Sequence, residues 1–78
     1  HTSGTLMVAE EGNNRVSLFD QEGGFIKSFG KAGKGNGEFT GPCGIAFDQA
    51  RRRIVVADKG SKRIQVFTDQ GVFESQFP

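Results

Sequence analysis

Two oppositely charged pairs recur in this sequence at one spacing: Glu10 stands five residues before Arg15, and Asp58 five residues before Arg63. Closed into a short hairpin, that spacing sets a carboxylate beside a guanidinium, and the charge-assisted hydrogen bond between them latches the loop. The other chemistry open to Arg15 and Arg63 is to grip an anionic ligand. Lys59 and Lys62 stand close to Arg63, and a further basic run, Arg51-Arg52-Arg53, precedes them. Arg15, Lys59, Lys62 and Arg63 are therefore the candidate contacts to an RNA backbone or to a protein partner. Glu10 and Glu11, however, take in the first pair the places that Asp58 and Lys59 take in the second. The positive charge is interrupted, and a solvated, charge-mixed rim with two structural latches is the plainer expectation.

Other candidate chemistry fails on composition. The stretch Lys31-Ala32-Gly33-Lys34-Gly35-Asn36-Gly37 invites comparison with a phosphate-cradling loop. Such a loop reads G-x-x-x-x-G-K-[ST] and opens a helix, whereas here no Ser or Thr follows the Lys and the stretch runs into Pro42 and a strand. It is expected to be a flexible connection. Ser17, Ser28, Ser61 and Ser75 have no histidine to activate them, because His1 is the only one and stands in a doubtful leader. Cys43 is alone, and the carboxylates are scattered among turns without ligand spacing. No catalytic residue, metal site or cofactor is expected, and the chain reads as non-enzymatic. An unpaired thiol sits more comfortably in a reducing compartment, which points to the cytoplasm.

The elements that must position these residues are short strands. The chain has 78 residues, eight Phe, twelve Gly and neither Trp nor Tyr, and its glycines cluster between brief apolar runs. That is the pattern of a many-turned all-β protein. A chain of this size buries only about 60% of the surface it exposes when unfolded, so its core is small. A formal net charge of +1 creates no global field toward nucleic acid or an anionic membrane. No apolar run approaches the ~20 residues of a membrane span, and no membrane partner is expected. His1-Thr2-Ser3-Gly4 begins in mid-pattern and is set aside as a leader or remnant.

Sliding the sequence along itself by 48 positions lays residues 5–30 over residues 53–78. Val8 and Ala9 then meet Val56 and Ala57, Gly12 meets Gly60, Arg15 meets Arg63, Phe19 meets Phe67, Gly23 meets Gly71, Phe25 meets Phe73 and Phe29 meets Phe77. Each copy divides into three strands; in the second these are Ile54–Ala57, Arg63–Thr68 and Val72–Phe77, the last alternating so that Phe73 and Phe77 share one side. Gly12, Gly23 and Gly71 are expected to supply positive φ in the hairpins. Strands apolar on both faces must be covered on both faces, so sheets stack on one another. Gly44–Asp48 adds an inner strand of mostly small residues to the second copy, and a four-stranded antiparallel unit with a period of ~40–50 residues is one blade of a β-propeller.

Gly41-Pro42-Cys43-Gly44-Ile45-Ala46-Phe47-Asp48, then Ile54–Asp58, then Arg63-Ile64-Gln65-Val66-Phe67, then Gly71–Phe77, with Gly37-Glu38-Phe39 closing the Gly-rich loop, closely resemble the successive motifs of an NHL repeat. The resemblance covers nearly the whole chain and implies an NHL-type propeller, six-bladed when complete. The expected organisation is a leader at 1–4, a partial blade lacking its inner strand at 5–30, a Gly-rich inter-blade loop at 31–43 and a complete blade at 44–78. The family's hairpin Asn is kept as Asn13 but replaced by Ser61, so the contact it makes is not expected in the second copy. The resemblance also implies a function: a non-catalytic scaffold for protein–protein interaction, the partner- or substrate-recruiting part of a TRIM-like ubiquitin ligase. RNA recognition on the loop face is the second reading. Self-assembly is the third, since two blades per chain and six per ring suggest three copies, although the missing inner strand counts against a perfect ring.

Overall fold

β-branched and aromatic runs bounded by turn residues become seven short strands in the computed structural model, which describes residues 5–78; residues 1–4, expected to be a leader, lie outside the described residues. Strands β1 (Leu6–Glu10), β2 (Arg15–Phe19) and β3 (Phe25–Phe29) form one antiparallel sheet in chain order. Strands β4 (Pro42–Asp48), β5 (Arg53–Asp58), β6 (Arg63–Thr68) and β7 (Phe73–Phe77) form a second. The inner strand begins at Pro42, inside the stretch expected to be loop, and its pairing with β5 is irregular between Pro42 and Gly44.

Local chemistry explains the turns. Asp20 accepts hydrogen bonds from the backbone N–H groups of Glu22 and Gly24 at 3.0 and 2.7 Å, and Thr68, at the same repeat position, accepts from Gln70 and Val72 at 3.2 Å. Gly23 and Gly71 supply the positive φ these turns need, at 90° and 87°. The other hairpin differs from expectation: in the first copy the left-handed residue is Asn14, at φ 54°, and not Gly12, and in the second it is Lys62, at φ 57°. Gly60 recurs for a different reason, because a Cβ there would lie 2.1 Å from the carbonyl oxygen of Thr40. At Gly12 the same atom would meet nothing.

A bulge in each sheet decides which way the Phe side chains point. Phe19 pairs with Phe25 while Val16 pairs with Phe29, and Phe67 pairs with Phe73 while Ile64 pairs with Phe77, with the register shifting between Leu18 and Phe19 and between Val66 and Phe67. The extra residue reverses the alternation along β3 and β7. Phe73 and Phe77 therefore lie on opposite faces, and simple alternation had put them on one. Each sheet thus carries a Phe on both faces.

The sheets stack through one face each. Val16 and Leu18 from the first meet Ile54, Val56 and Phe67 from the second, with Met7, Phe29, Ile45, Phe47 and Phe73 around them. The rings of Phe29 and Phe67 meet at a tilt of 47° with centroids 4.6 Å apart, and Phe73 meets Phe67 edge-on at 5.9 Å. Phe39, from the connection between the sheets, is wholly buried with its ring 5.8 Å from that of Phe67. It lies over Gly30, whose φ is 102° and where a Cβ would come within 2.4 Å of the Phe39 ring.

Phe39→Ala is expected to cost about 3–5 kcal/mol, the range for emptying a buried aromatic site. Gly30→Ala is expected to cost about 1–3 kcal/mol through backbone strain. Gly12→Ala, in open space, stays within about 0.5 kcal/mol. Urea denaturation of the three variants checks this order.

Candidate functional site

The alternation of antiparallel strands sends the loops to two ends. The β1–β2 turn, the β5–β6 turn and the connection 30–41 share one end; the β2–β3, β4–β5 and β6–β7 turns share the other. The run Arg51-Arg52-Arg53 lies at the second end, away from Lys59 and Lys62, so the two basic clusters do not merge. Each of its arginines is also paired: Arg51 with Asp48 at 3.1 Å, Arg52 with Asp69 at 3.0 Å and Arg53 with Glu74 at 2.7 Å.

At the first end the two latch positions have diverged. In the first sheet, Arg15 Nε donates to Glu10 Oε1 at 3.0 Å, Asn13 donates to the same oxygen at 2.8 Å, and the Ser17 hydroxyl donates to Glu10 Oε2. Those hydrogen bonds, from Ser17 first, then Asn13 and Arg15, hold the Glu10 carboxyl below its ordinary 4.5. In the second sheet, Asp58 is fully buried and its two oxygens accept the N–H of Thr40 at 3.1 and 3.0 Å. Ser61 donates to Asp58 at 2.8 Å, the same contact that Asn13 makes with Glu10, so the Asn-to-Ser replacement preserves it.

Arg63 is not free to meet a ligand. Its Nε donates to the Ser61 hydroxyl at 3.0 Å and lies 3.9 Å from Asp58; Nη1 donates to Gln76 at 3.0 Å; Nη2 donates to the carbonyls of Gly35 and Glu38 at 2.8 and 2.6 Å. Gln65, also fully buried, donates to the Glu38 carbonyl at 2.7 Å and accepts the Gly37 N–H at 2.8 Å. Asp58, Arg63 and Gln65 thus grip the backbone of residues 35–40. The Gly-rich connection, expected to be flexible, is an ordered loop, closed further by Phe39 N–H to the Lys31 carbonyl at 2.8 Å and Gly33 N–H to the Phe39 carbonyl at 3.0 Å.

Of the candidate contacts, Arg15 is half exposed but tied to Glu10, and Arg63 is enclosed. Lys59 and Lys62 are exposed and enter no ion pair among the described residues; Lys34, on the loop beside Gly35, joins them. Lys59, Lys62, Ile64 and Pro78 border a shallow depression. Phe39 and Gln65 were legible only as repeat-motif positions and Lys34 only as part of a Gly-rich loop; the buried anchoring of Phe39, the grip of Gln65 on the loop and the place of Lys34 beside Lys59 and Lys62 come from the structure. Among the described residues, no three His, Cys, Asp or Glu side chains are grouped to share a metal ion.

A three-stranded and a four-stranded antiparallel meander, stacked on one another, joined by a clamped loop and repeating every 48 residues, are consecutive blades, the first without an inner strand among the described residues. Residues 1–76 match the family described as a 6-bladed beta-propeller. The chain belongs to that family. Its propeller sequence is 45% identical over 72 residues to Protein lin-41 of Caenorhabditis elegans, covering 92% of this chain and 6% of that protein. It is 30% identical over 73 residues to Protein brain tumor of Drosophila melanogaster, covering 92% of this chain and 7% of the relative. It is 44% identical over 57 residues to RING finger protein nhl-1 of C. elegans, covering 73% of this chain and 6% of the relative. These are NHL-repeat proteins, and the blades here are of that kind. The chain spans only a small part of their length.

The two repeat-related arginines are expected to behave differently. Arg63→Ala breaks an enclosed pair from one side and costs about 3 kcal/mol, whereas Arg15→Ala, half exposed, costs less than about 1 kcal/mol. Denaturant melts of both variants measure the contrast.

The acid response has a definite sign. Because the folded Glu10 carboxyl titrates lower than the unfolded one, its contribution is complete above 4.5 and is lost as pH falls through the depressed value. Glu10→Gln is therefore expected to flatten part of the fall in stability on acidification, leaving the share of Asp48, which Arg51 likewise holds low. Melts above and below 4.5 for the variant and the parent chain test it.

Proposed function

We propose that this pair of propeller blades is a non-catalytic binding module that recruits a protein partner through the end carrying Lys34, Lys59 and Lys62. One observation carries the reading: the polar residues most suited to chemistry are occupied in holding the loop 35–40, while these lysines are exposed and enter no ion pair among the described residues. A rigid platform presenting fixed charges suits recognition of an acidic segment, because little side-chain or loop ordering is required on binding. Protein is favoured over RNA as the partner because Arg63 and Arg15 are withdrawn from the basic set and Glu11 shares the same end. That one relative is named a RING finger protein supports a place for the module in a TRIM-like ubiquitin ligase.

The test is binding of the chain to an array of acidic peptides and, separately, to short single-stranded RNAs. Lys59→Glu with Lys62→Glu is expected to weaken peptide binding about five- to tenfold, as two rim contacts worth up to about 1 kcal/mol each are lost. Arg51→Glu, at the far end, should leave it unchanged. RNA affinity falling steeply with salt and abolished by the same double variant would transfer the reading to RNA.

A further inference from the structure

The loop held by Asp58, Arg63 and Gln65 carries a pair of residues with chemistry of its own. Of the three asparagines, Asn13, Asn14 and Asn36, only Asn36 is followed by glycine. In such a pair the glycine nitrogen, once it gives up its proton to base, attacks the asparagine Cγ. The new N–Cγ bond closes a five-membered succinimide, the Cγ–Nδ2 bond breaks, and the side-chain nitrogen takes up a proton from solvent and leaves as ammonia. Water then opens the ring. Cleavage of the N–Cγ bond restores an ordinary chain with aspartate at 36; cleavage at the other carbonyl gives isoaspartate, whose backbone runs through the side chain and gains a methylene. Glycine favours ring closure because it has no Cβ to block the approach or restrict the backbone rotation. Asn36 is exposed, so base and water reach it.

The fold obstructs the first step. The Gly37 N–H is donated at 2.8 Å to Oε1 of Gln65, a side chain with no exposed surface. A nitrogen bound in this way keeps its proton, because the hydrogen bond stabilises the protonated form. The Gln65 amide is itself fixed by its donation to the Glu38 carbonyl at 2.7 Å. The Glu38 N–H in turn donates to the Gly35 carbonyl at 3.1 Å, closing a turn over Asn36 and Gly37 in which Gly37 has φ 79°. The nucleophile is therefore tied to β6, while the residue it would attack lies in solvent.

We propose that Asn36-Gly37 is a deamidation site that Gln65 keeps silent while the loop is closed, so that opening of the loop is recorded as a permanent chemical change. The isoaspartate product does not fit the closed clamp. Arg63 Nη2 spans the carbonyls of Gly35 and Glu38 at 2.8 and 2.6 Å, and position 36 lies between them. An extra methylene there moves the two carbonyls out of common reach of one nitrogen, and the loop that carries Phe39 fails to reclose. Either product also adds a negative charge to the end that carries Lys34. The inference does not depend on what binds that end.

The chain is incubated at neutral pH and cut with trypsin, which releases residues 35–51. Mass spectrometry reads the change from amide to acid, and isoaspartyl methyltransferase counts the isoaspartate. Asn36 in the folded chain is expected to react at least about tenfold more slowly than in a free peptide of residues 31–41, because reaction waits on local opening. Gln65→Met, of similar length but without the acceptor oxygen, should remove most of that protection, and Gln65→Glu, which keeps the oxygen, should retain it. Circular dichroism checks that both variants fold. Hydrogen exchange of the Gly37 amide in the parent chain needs no variant and decides the matter should either fail to fold: it should be slowed by the same factor as deamidation. Deamidation in the folded parent as fast as in the peptide, or a freely exchanging Gly37 amide, would overturn the proposal. So would a folded Gln65→Met variant that stays protected, or a folded Gln65→Glu variant that does not.

Discussion

The structure depends on a loop that must cross from one sheet to the next, carry Phe39 into the space between them, and pair the backbone polar groups that this takes out of water. Residues 35–40 make that crossing with Phe39 driven into the space between the sheets. Gly35 and Asn36 of this loop are exposed while Phe39 is buried, and the N–H and C=O groups that lose water beside Phe39 each need a partner. Asp58, Arg63 and Gln65 supply those partners from β5 and β6, so the loop is held by the sheet it leads into. The apolar core and the polar clamp are thus one device: Phe39 is kept in place because the backbone around it is satisfied.

That device explains why the two charged pairs, so alike in sequence, do different work. Glu10 and Arg15 fold onto each other and onto Asn13 and Ser17, closing a surface hairpin. Asp58 and Arg63 are turned toward the loop, and the distance between them, 3.9 Å, is longer than either makes to its other partners. Gln65 stands where the first sheet has Ser17. A long amide reaches the loop backbone and both donates and accepts there, while a serine reaches no further than Glu10.

The bulges play the matching role for the apolar surface. Without them, Phe25 and Phe29 would share a face, as would Phe73 and Phe77, and each sheet would have one face rich in aromatics and one poor. With them, every sheet presents a Phe both forward and back, which is what a stack of more than two layers requires. β-Propellers are built by repeating such sheets around an axis.

Much of this was legible in the residues. The period of 48, the β6 strand at Arg63–Thr68, the glycine turns at Gly23 and Gly71 and the two-sided apolar character of the strands follow from local pattern, because strand alternation and turn chemistry are set by neighbours in the chain. What only the tertiary structure decided was direction and partnership. A bulge of one residue reversed Phe77, Asn14 and Lys62 took the left-handed positions in place of Gly12, and Arg63 was claimed by carbonyls lying 25 and 28 residues earlier in the chain. Such choices depend on groups brought together by folding, and sequence spacing carries no record of which distant backbone oxygen a guanidinium will meet.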